Sequence, residues 1–190
     1  MDVHCELLLQ EYKENLPTYE KLNEVLQVQL KKLAKDSGLL VTAVESRIKT
    51  ETSLAGKLEL KGYKYKTLAD VTDIVGARVI TFYSDDVDKI AVKITENFDV
   101  DWKNSVDKRK LHEIDQFGYL SLHYVCTLPK TVFSDPKYPL LNDIKFEIQI
   151  RSNLQHTWAT IYHDAGYKHD VEIPAIILRK MNRLAGMLEI

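Results

Sequence analysis

Apolar side chains recur at three- and four-residue steps along the first part of the chain: Leu8, Leu9, Tyr12, Leu16, Tyr19, Leu22, Leu26, Leu30 and Leu33. That period predicts amphipathic helix from about Cys5 to Lys35. Pro17 is expected to divide it into two helices, since proline is tolerated at the start of the second, and Ser37-Gly38 ends it. Near the other end the period changes to two. Phe146, Ile148 and Ile150 alternate with Glu147, Gln149 and Arg151, which reads as a strand with one face in a core. Val71 to Tyr83 reads as a mostly buried strand interrupted by Asp73 and by Gly76 and Arg78. Phe117 to Val125 is a glycine-punctuated approach to another strand. Residues 39–46 fit a short strand or a helix start. Asp85-Asp86-Val87-Asp88 places acids at the N-terminus of a helix running to about Asn97, where they suit the helix dipole. Residues 99–116 read as a polar connection, and 129–143, with Pro129, Pro136 and Pro139, as a loop. Gln155 to Lys168 reads as a helix ending at Gly166. Pro174 to Ile190 is again amphipathic helix with no stop signal, so the natural chain is expected to continue past Ile190.

Helix followed by strands interleaved with helices makes the chain α/β or α+β. The return from Tyr124 through a proline-rich loop to Phe146 favours a mixed or antiparallel sheet over a doubly wound one. The expected organisation is an N-terminal helical segment over 1–38, a single α/β domain over 39–170, and a C-terminal helix over 171–190. The terminal amphipathic faces are expected to pack on the sheet, with a homo-oligomer interface as the other use of such a face.

Composition changes this picture little. With 190 residues, 45% of them hydrophobic and 28% charged, the chain has enough apolar side chains for one core. A net charge of −2 gives no global attraction to nucleic acid or anionic membrane, so phosphate affinity must come from a local basic patch. Two distant cysteines, Cys5 and Cys126, fit neither a disulfide scaffold nor a zinc site. No apolar run approaches the ~18 residues of a membrane span. A reducing cytoplasm fits both observations.

The chemistry concentrates in four places. Glu147, Gln149 and Arg151 form a row on one strand face, successive members about 7 Å apart. Asp73 and Glu147 are carboxylates in apolar surroundings, where an unpaired charge is costly and a cation relieves the cost. Magnesium takes one or two such carboxylates plus water and substrate oxygens. Arg47 and Lys49 lie two apart, on one side of an extended segment, and Lys57 can converge from the following turn. Arg78 follows Asp73 at an odd step, so a bend at Gly76 would be needed to bring both to one site. Gly118-Tyr119 offers a close backbone approach and an aromatic platform.

Arg47-Ile48-Lys49 with Ser53 and Lys57, Asp73-Ile74-Val75-Gly76-Ala77-Arg78, Gly118-Tyr119-Leu120-Ser121-Leu122-His123 and Glu147-Ile148-Gln149-Ile150-Arg151 occur in this order. Together, over about Val44 to Lys168, they resemble the synthetase domain of the RelA/SpoT family, the alarmone (p)ppGpp synthetases. The resemblance implies a nucleotidyltransferase-like fold, a mixed sheet of about five strands flanked by helices. It implies magnesium-dependent transfer of pyrophosphate from ATP to the 3′-hydroxyl of GDP or GTP. Arg47, Lys49, Ser53, Lys57 and Arg78 would hold ATP. Asp73 would bind the metal, with Glu147 as metal partner or general base. Tyr119 would stack on the acceptor guanine, His123 would line the acceptor pocket, and Gln149 and Arg151 would orient Glu147 or contact phosphates. Trp158 reads as core, His156 as core or a supporting partner of the site. His163-Asp164 belongs to the synthetase block and is no metal-hydrolase signature.

The acceptor segment departs from the family pattern. Where relatives place basic or amide residues around the Gly-Tyr pair, this chain has His112-Glu113-Ile114-Asp115-Gln116-Phe117 before it and Leu120 after it. Bases lie earlier, at Lys108, Arg109 and Lys110. Two other functions therefore stand beside the first: pyrophosphorylation of the tRNA 3′ end, as in toxin-type members, and a non-catalytic nucleotide-sensing module.

Overall fold

A computed structural model describes residues 3–61, 64–108, 121–131, 134–167 and 175–187. The apolar stripe of the N-terminus forms α1 (Val3–Glu14) and α2 (Leu16–Asp36), and Pro17 sits in the first turn of α2. Ser37 caps α2 and Gly38 leaves it at φ +67°, the left-handed conformation that glycine adopts without a Cβ penalty. The ambiguous segment after it is β1 (Val41–Ile48), followed by α3 (Glu51–Lys61). Then come β2 (Val75–Thr81), α4 (Asp86–Asn97), the two-residue strands β3 (Asp99–Val100) and β4 (Val106–Asp107), and β5 (Leu122–Thr127). The chain continues with β6 (Phe146–Ser152), α5 (Asn153–Tyr167) and α6 (Ala175–Met187).

The sheet runs β1-β2-β6-β5-β3, with β4 also paired to β5. Only the central β2–β6 pair is parallel; every other pairing is antiparallel. The sheet is therefore mixed, as expected, with six strands rather than five. The extra strand comes from the polar connection 99–116, whose two short strands carry too few residues to show a period.

One face of the sheet is apolar. Phe146, Ile148 and Ile150 of β6 and Val75 and Val79 of β2 are fully buried, and α2 packs on β1 and β2 with Leu22, Leu26 and Leu30 fully buried. Each such leucine stabilises the fold by about 1.5–3 kcal/mol. The N-terminal helices thus share one core with the sheet. Cys5 and Cys126 are buried as free thiols, and burial pushes the Cys126 thiol up to about 12. Among the described residues no helix is long and apolar enough to cross a membrane.

Two expectations need correction. The strand read from Val71 begins only at Val75. Asp70 accepts hydrogen bonds from the backbone N–H groups of Lys66 and Thr67 and closes a 3-10 turn over Leu68–Asp70, so Val71 and Ile74 are buried in a turn. Gly166 does not stop α5, which continues through Tyr167.

Candidate active site

The opposite face of the sheet is polar because alternate residues of four strands, β1, β2, β6 and β5, carry the polar half of their pattern. Register partners on adjacent strands share a face. One row across the sheet is Arg47, Gly76 and Glu147; the next is Glu45, Arg78, Gln149 and His123. These residues come from four segments far apart in sequence, and sheet pairing alone brings them side by side. Gly76 stands between Arg47 and Glu147. A methyl there would meet only the Glu147 carbonyl oxygen, at 4.0 Å, so packing does not require glycine. Its missing side chain instead leaves the floor of the row open.

A cavity of ≈ 300 Å³ opens over this floor, lined among others by Arg47, Lys49, Asp73, Arg78, Glu147 and Gln149. That volume lies at the lower bound of small-molecule sites. Asp73 reaches it from the turn before β2, not from the strand, so no bend at Gly76 is needed to bring it beside Arg78. Its two carboxylate oxygens face two ammonium groups: Lys57 Nζ lies 2.5 Å from Oδ1 and Lys49 Nζ 3.2 Å from Oδ2. Lys57 projects from helix α3 rather than from a turn. Burial opposes its charge, but its hydrogen bond to Asp73, with further help from Tyr65, raises its pKa overall. The Tyr65 ring lies 5.5 Å from Lys57 Nζ, a cation–π distance.

Glu147 belongs to a second connected group. Gln149 Nε2 donates to its Oε1 at 2.6 Å, and Arg151 Nη2 donates to Gln149 Oε1. On its other side His123 Nδ1 lies 3.2 Å from Oε2, and His123 Nε2 pairs with Ser121 Oγ at 2.5 Å. Burial pushes the Glu147 carboxyl upward. The hydrogen bond and charge of His123, the Gln149 amide and the charge of Lys108 outweigh it and hold the group at about 2. Glu147 is therefore an ionised, largely enclosed carboxylate at neutral pH. His156, on α5, is pushed down by burial and by the nearby charges of Arg151 and Arg78.

Of the residues predicted from sequence, Arg47, Lys49, Asp73, Arg78, Glu147 and Gln149 meet at the cavity, and Lys57, His123 and Arg151 join them through direct partners. Ser53 does not line it: it is exposed in the first turn of α3, where its N–H and hydroxyl bond Thr50. Tyr119 lies outside the described residues, as do Arg109, Lys110 and the run 112–117. Trp158 is buried in the core. Sequence reasoning missed three supporting contacts. Glu45 lies 3.8 Å from Arg78, and its place two residues before Arg47 in an alternating strand was a usable signal. Tyr12 donates to the Lys49 carbonyl at 2.7 Å, and His4 Nε2 lies 2.9 Å from the Tyr65 carbonyl. Those pairs span 37 and 61 residues, and nothing local announces them.

The donor set suits a hard divalent cation shared with substrate phosphates. Among the described residues no group of three His, Cys, Asp or Glu could hold a metal by itself, whereas two carboxylates beside a basic cavity are what magnesium with a nucleotide requires.

The chain is similar to known proteins in sequence and in fold. The family model for the region found in RelA / SpoT proteins matches residues 46–172. The GTP pyrophosphokinase YjbM of Bacillus subtilis (strain 168) is 28% identical over 174 residues, covering 88% of this chain and 79% of that protein. Small alarmone synthetase 1 from Bacillus subtilis, solved bound to its product pppGpp, has a TM-score of 0.77 at 24% identity, covering 95% of this chain and 91% of its own. A GTP pyrophosphokinase family protein from Streptococcus pneumoniae has a TM-score of 0.74 at 26% identity, covering 94% of this chain and 88% of its own.

Proposed function

The chain belongs to the RelA/SpoT family, and on that premise we propose that it is a magnesium-dependent GTP pyrophosphokinase. It moves the β,γ-pyrophosphate of ATP to the 3′-hydroxyl of GDP or GTP, giving ppGpp or pppGpp and AMP. The 3′-oxygen bonds to the β-phosphorus, the bond from that phosphorus to the α,β-bridging oxygen breaks, and AMP leaves with the electron pair.

The observation that carries this reading is the meeting of Asp73, Glu147 and the bases Arg47, Lys49 and Arg78 at one cavity. Arg47 and Arg78 sit on the β1–β2 side and grip the ATP phosphates, with Lys49 and Lys57 beside Asp73. Arginine suits this task because its planar fork matches phosphate oxygens. Asp73 and Glu147 are the metal-holding pair; magnesium, when bound, neutralises the charge that develops on the transferring phosphates. Glu147 also accepts a hydrogen bond from the 3′-hydroxyl. At a pKa of about 2 it is a weak base. It takes the proton only as the new O–P bond forms and the attacking oxygen becomes acidic, which suits a loose phosphoryl-transfer transition state. His123 and Gln149 fix the carboxylate's orientation, while Tyr119 and His123 seat the guanosine.

The test is chromatographic separation of products from γ-labelled ATP and magnesium with GDP, GTP or bulk tRNA. Guanosine tetra- or pentaphosphate must appear and must vanish with Glu147→Gln. Label carried only by tRNA would change the acceptor, and nucleotide binding without AMP release would make the chain a sensor.

A further inference from the structure

Among the described residues, the carboxylates lining the main cavity are Asp73, Glu147 and Glu45, and Glu45 has no part in the proposed chemistry. It stands on β1, an edge strand of the sheet, on the face it shares with Arg47. It precedes Lys49, which meets Asp73, by four residues, about 13 Å of extended chain. Across the sheet Arg78 stands between Glu45 and Gln149, and His123 is one strand further on. At about 4.8 Å per strand, Glu45 is about 10 Å from β6, which carries Glu147. It therefore occupies the outer rim of the cavity, on the Arg47 side, away from both carboxylates of the reacting centre.

Its surroundings leave Glu45 able to accept hydrogen bonds. Arg78 Nη1 lies 3.8 Å from Oε2, an ion pair beyond hydrogen-bond distance, and the side chain is 53% exposed. The other side-chain acceptors on the floor are engaged: Asp73 by Lys49 and Lys57, Glu147 by Gln149 and His123, and the Gln149 carbonyl by Arg151. A carboxylate offers acceptor sites and no donor. It repels phosphates, so the part of a nucleotide that lies against it is uncharged. ATP held by Arg47, Lys49 and Lys57, with its β-phosphorus at Asp73 and Glu147, has its nucleoside at the far end, because the α-phosphate and adenosine leave together as AMP. Both substrates are purine ribonucleoside polyphosphates, so only the base edge tells donor from acceptor. Adenine carries an amine at C6, a donor, where guanine carries an oxygen, an acceptor.

Resting on the functional reading above, we propose that Glu45 selects the base of the pyrophosphate donor. Its carboxylate accepts from the 6-amino group of adenine and repels the 6-oxygen of guanine or hypoxanthine. The acceptor nucleotide, which carries the same ribose and the same kind of phosphate tail, is thereby kept out of the donor's seat.

The test is kcat/KM for ATP, ITP and 2′-deoxyATP as donors at saturating GDP, in the wild type, Glu45→Gln and Glu45→Ala. A hydrogen bond to a half-exposed charged group should favour ATP over ITP roughly tenfold in the wild type. In Glu45→Gln, whose amide can turn its NH2 toward a 6-oxygen, and in Glu45→Ala, that preference should collapse, while the ratio of ATP to 2′-deoxyATP and the KM for GDP hold. A preference absent from the wild type, or unchanged in both variants, would overturn the proposal. So would an equal loss for ATP and ITP, which would make Glu45 a support for Arg78, or a collapse confined to the 2′-deoxyATP ratio, which would place it on the ribose. A wild type that makes no alarmone would instead defeat the functional reading. Calorimetry with AMP and IMP then decides Glu45 by itself: a preference for AMP that Glu45→Gln loses upholds the selection, and a preference that is missing from the wild type or kept in Glu45→Gln removes it.

Discussion

Removing one hydroxyl far from the chemistry, with Tyr12→Phe, should loosen the ATP side of the site alone. Lys49 is clamped at both ends of its peptide unit: its N–H donates to the Ile74 carbonyl at 2.7 Å, and its carbonyl accepts from Tyr12 at 2.7 Å. The first bond ties it to the turn carrying Asp73, the second to α1. Burial, with Glu51 and Glu20, raises the Tyr12 pKa, so the phenol stays a donor at any working pH. The ring is 4% exposed and stacks on Tyr19 at 5.8 Å, and phenylalanine preserves that packing. The loss is therefore one hydrogen bond, about 1 kcal/mol. For a chain of this size that lowers Tm by about 2–4 °C. The same slack reaches Lys49 Nζ, so KM for ATP should rise about threefold to tenfold, the equivalent of that energy, while KM for the acceptor holds. Thermal melting and steady-state kinetics measure both. Equal shifts in the two KM values, or a lower Tm with an unchanged ATP KM, would show that Tyr12 supports the fold and not Lys49.

Asp73→Asn should leave Lys49 and Lys57 facing a neutral amide and cut kcat at least about 100-fold, as loss of a metal-holding carboxylate does; full activity would remove Asp73 from the metal assignment. Ser121→Ala frees His123 Nε2 from its 2.5 Å partner and should lower kcat several-fold with the ATP KM unchanged, since the ring that orients Glu147 loses its fixed tautomer; an altered ATP KM alone would contradict that role. Asp101 is held at about 2, chiefly by its hydrogen bond to Lys145 and then by Asn104. Its folded pKa lies below the unfolded value, so its contribution, about 1 kcal/mol for a partly exposed pair, is complete above about pH 4 and is lost as pH falls through 2. In urea titrations the gap between wild type and Asp101→Asn should close over that window, and a gap that stays constant would refute it.

Much of the scaffold was legible because it repeats. Nine apolar positions at helical spacing leave little choice for α1 and α2, and three at strand spacing in β6 orient Glu147, Gln149 and Arg151 together. The turn before β2 was misread for a physical reason. Val71 and Ile74 are as buried as strand residues, and hydrophobicity reports burial, not pairing. What distinguishes the turn is where Asp70 places its carboxylate, and an acid in a sequence does not say which N–H groups it will accept from. Asp73 was nonetheless assigned to the site, because the block around it was read as a unit. Ser53 is a different case: the resemblance implies a phosphate contact for it, and a serine three residues after Thr50 also suits the first turn of a helix, where its Oγ accepts from the Thr50 hydroxyl.

The two halves of the site solve the same problem differently. A carboxylate in a partly enclosed cavity needs partners. Glu147 finds them in Gln149 of its own strand and His123 of the neighbouring strand, whose positions are set by the strand period and by register. Asp73 finds them in Lys49 and Lys57, side chains that phosphate oxygens also attract. When ATP arrives, the lysines have a second anion to bind and Asp73 has oxygens to give up; Glu147 has no comparable exchange. The Asp73 side should therefore rearrange on nucleotide binding while the Glu147 side stays fixed. Order on the changeable side then has to come from backbone anchors, not from side-chain ion pairs. That is the part played by the Tyr12 and Ile74 bonds to the Lys49 peptide, and it explains why a helix that carries no part of the chemistry packs against it.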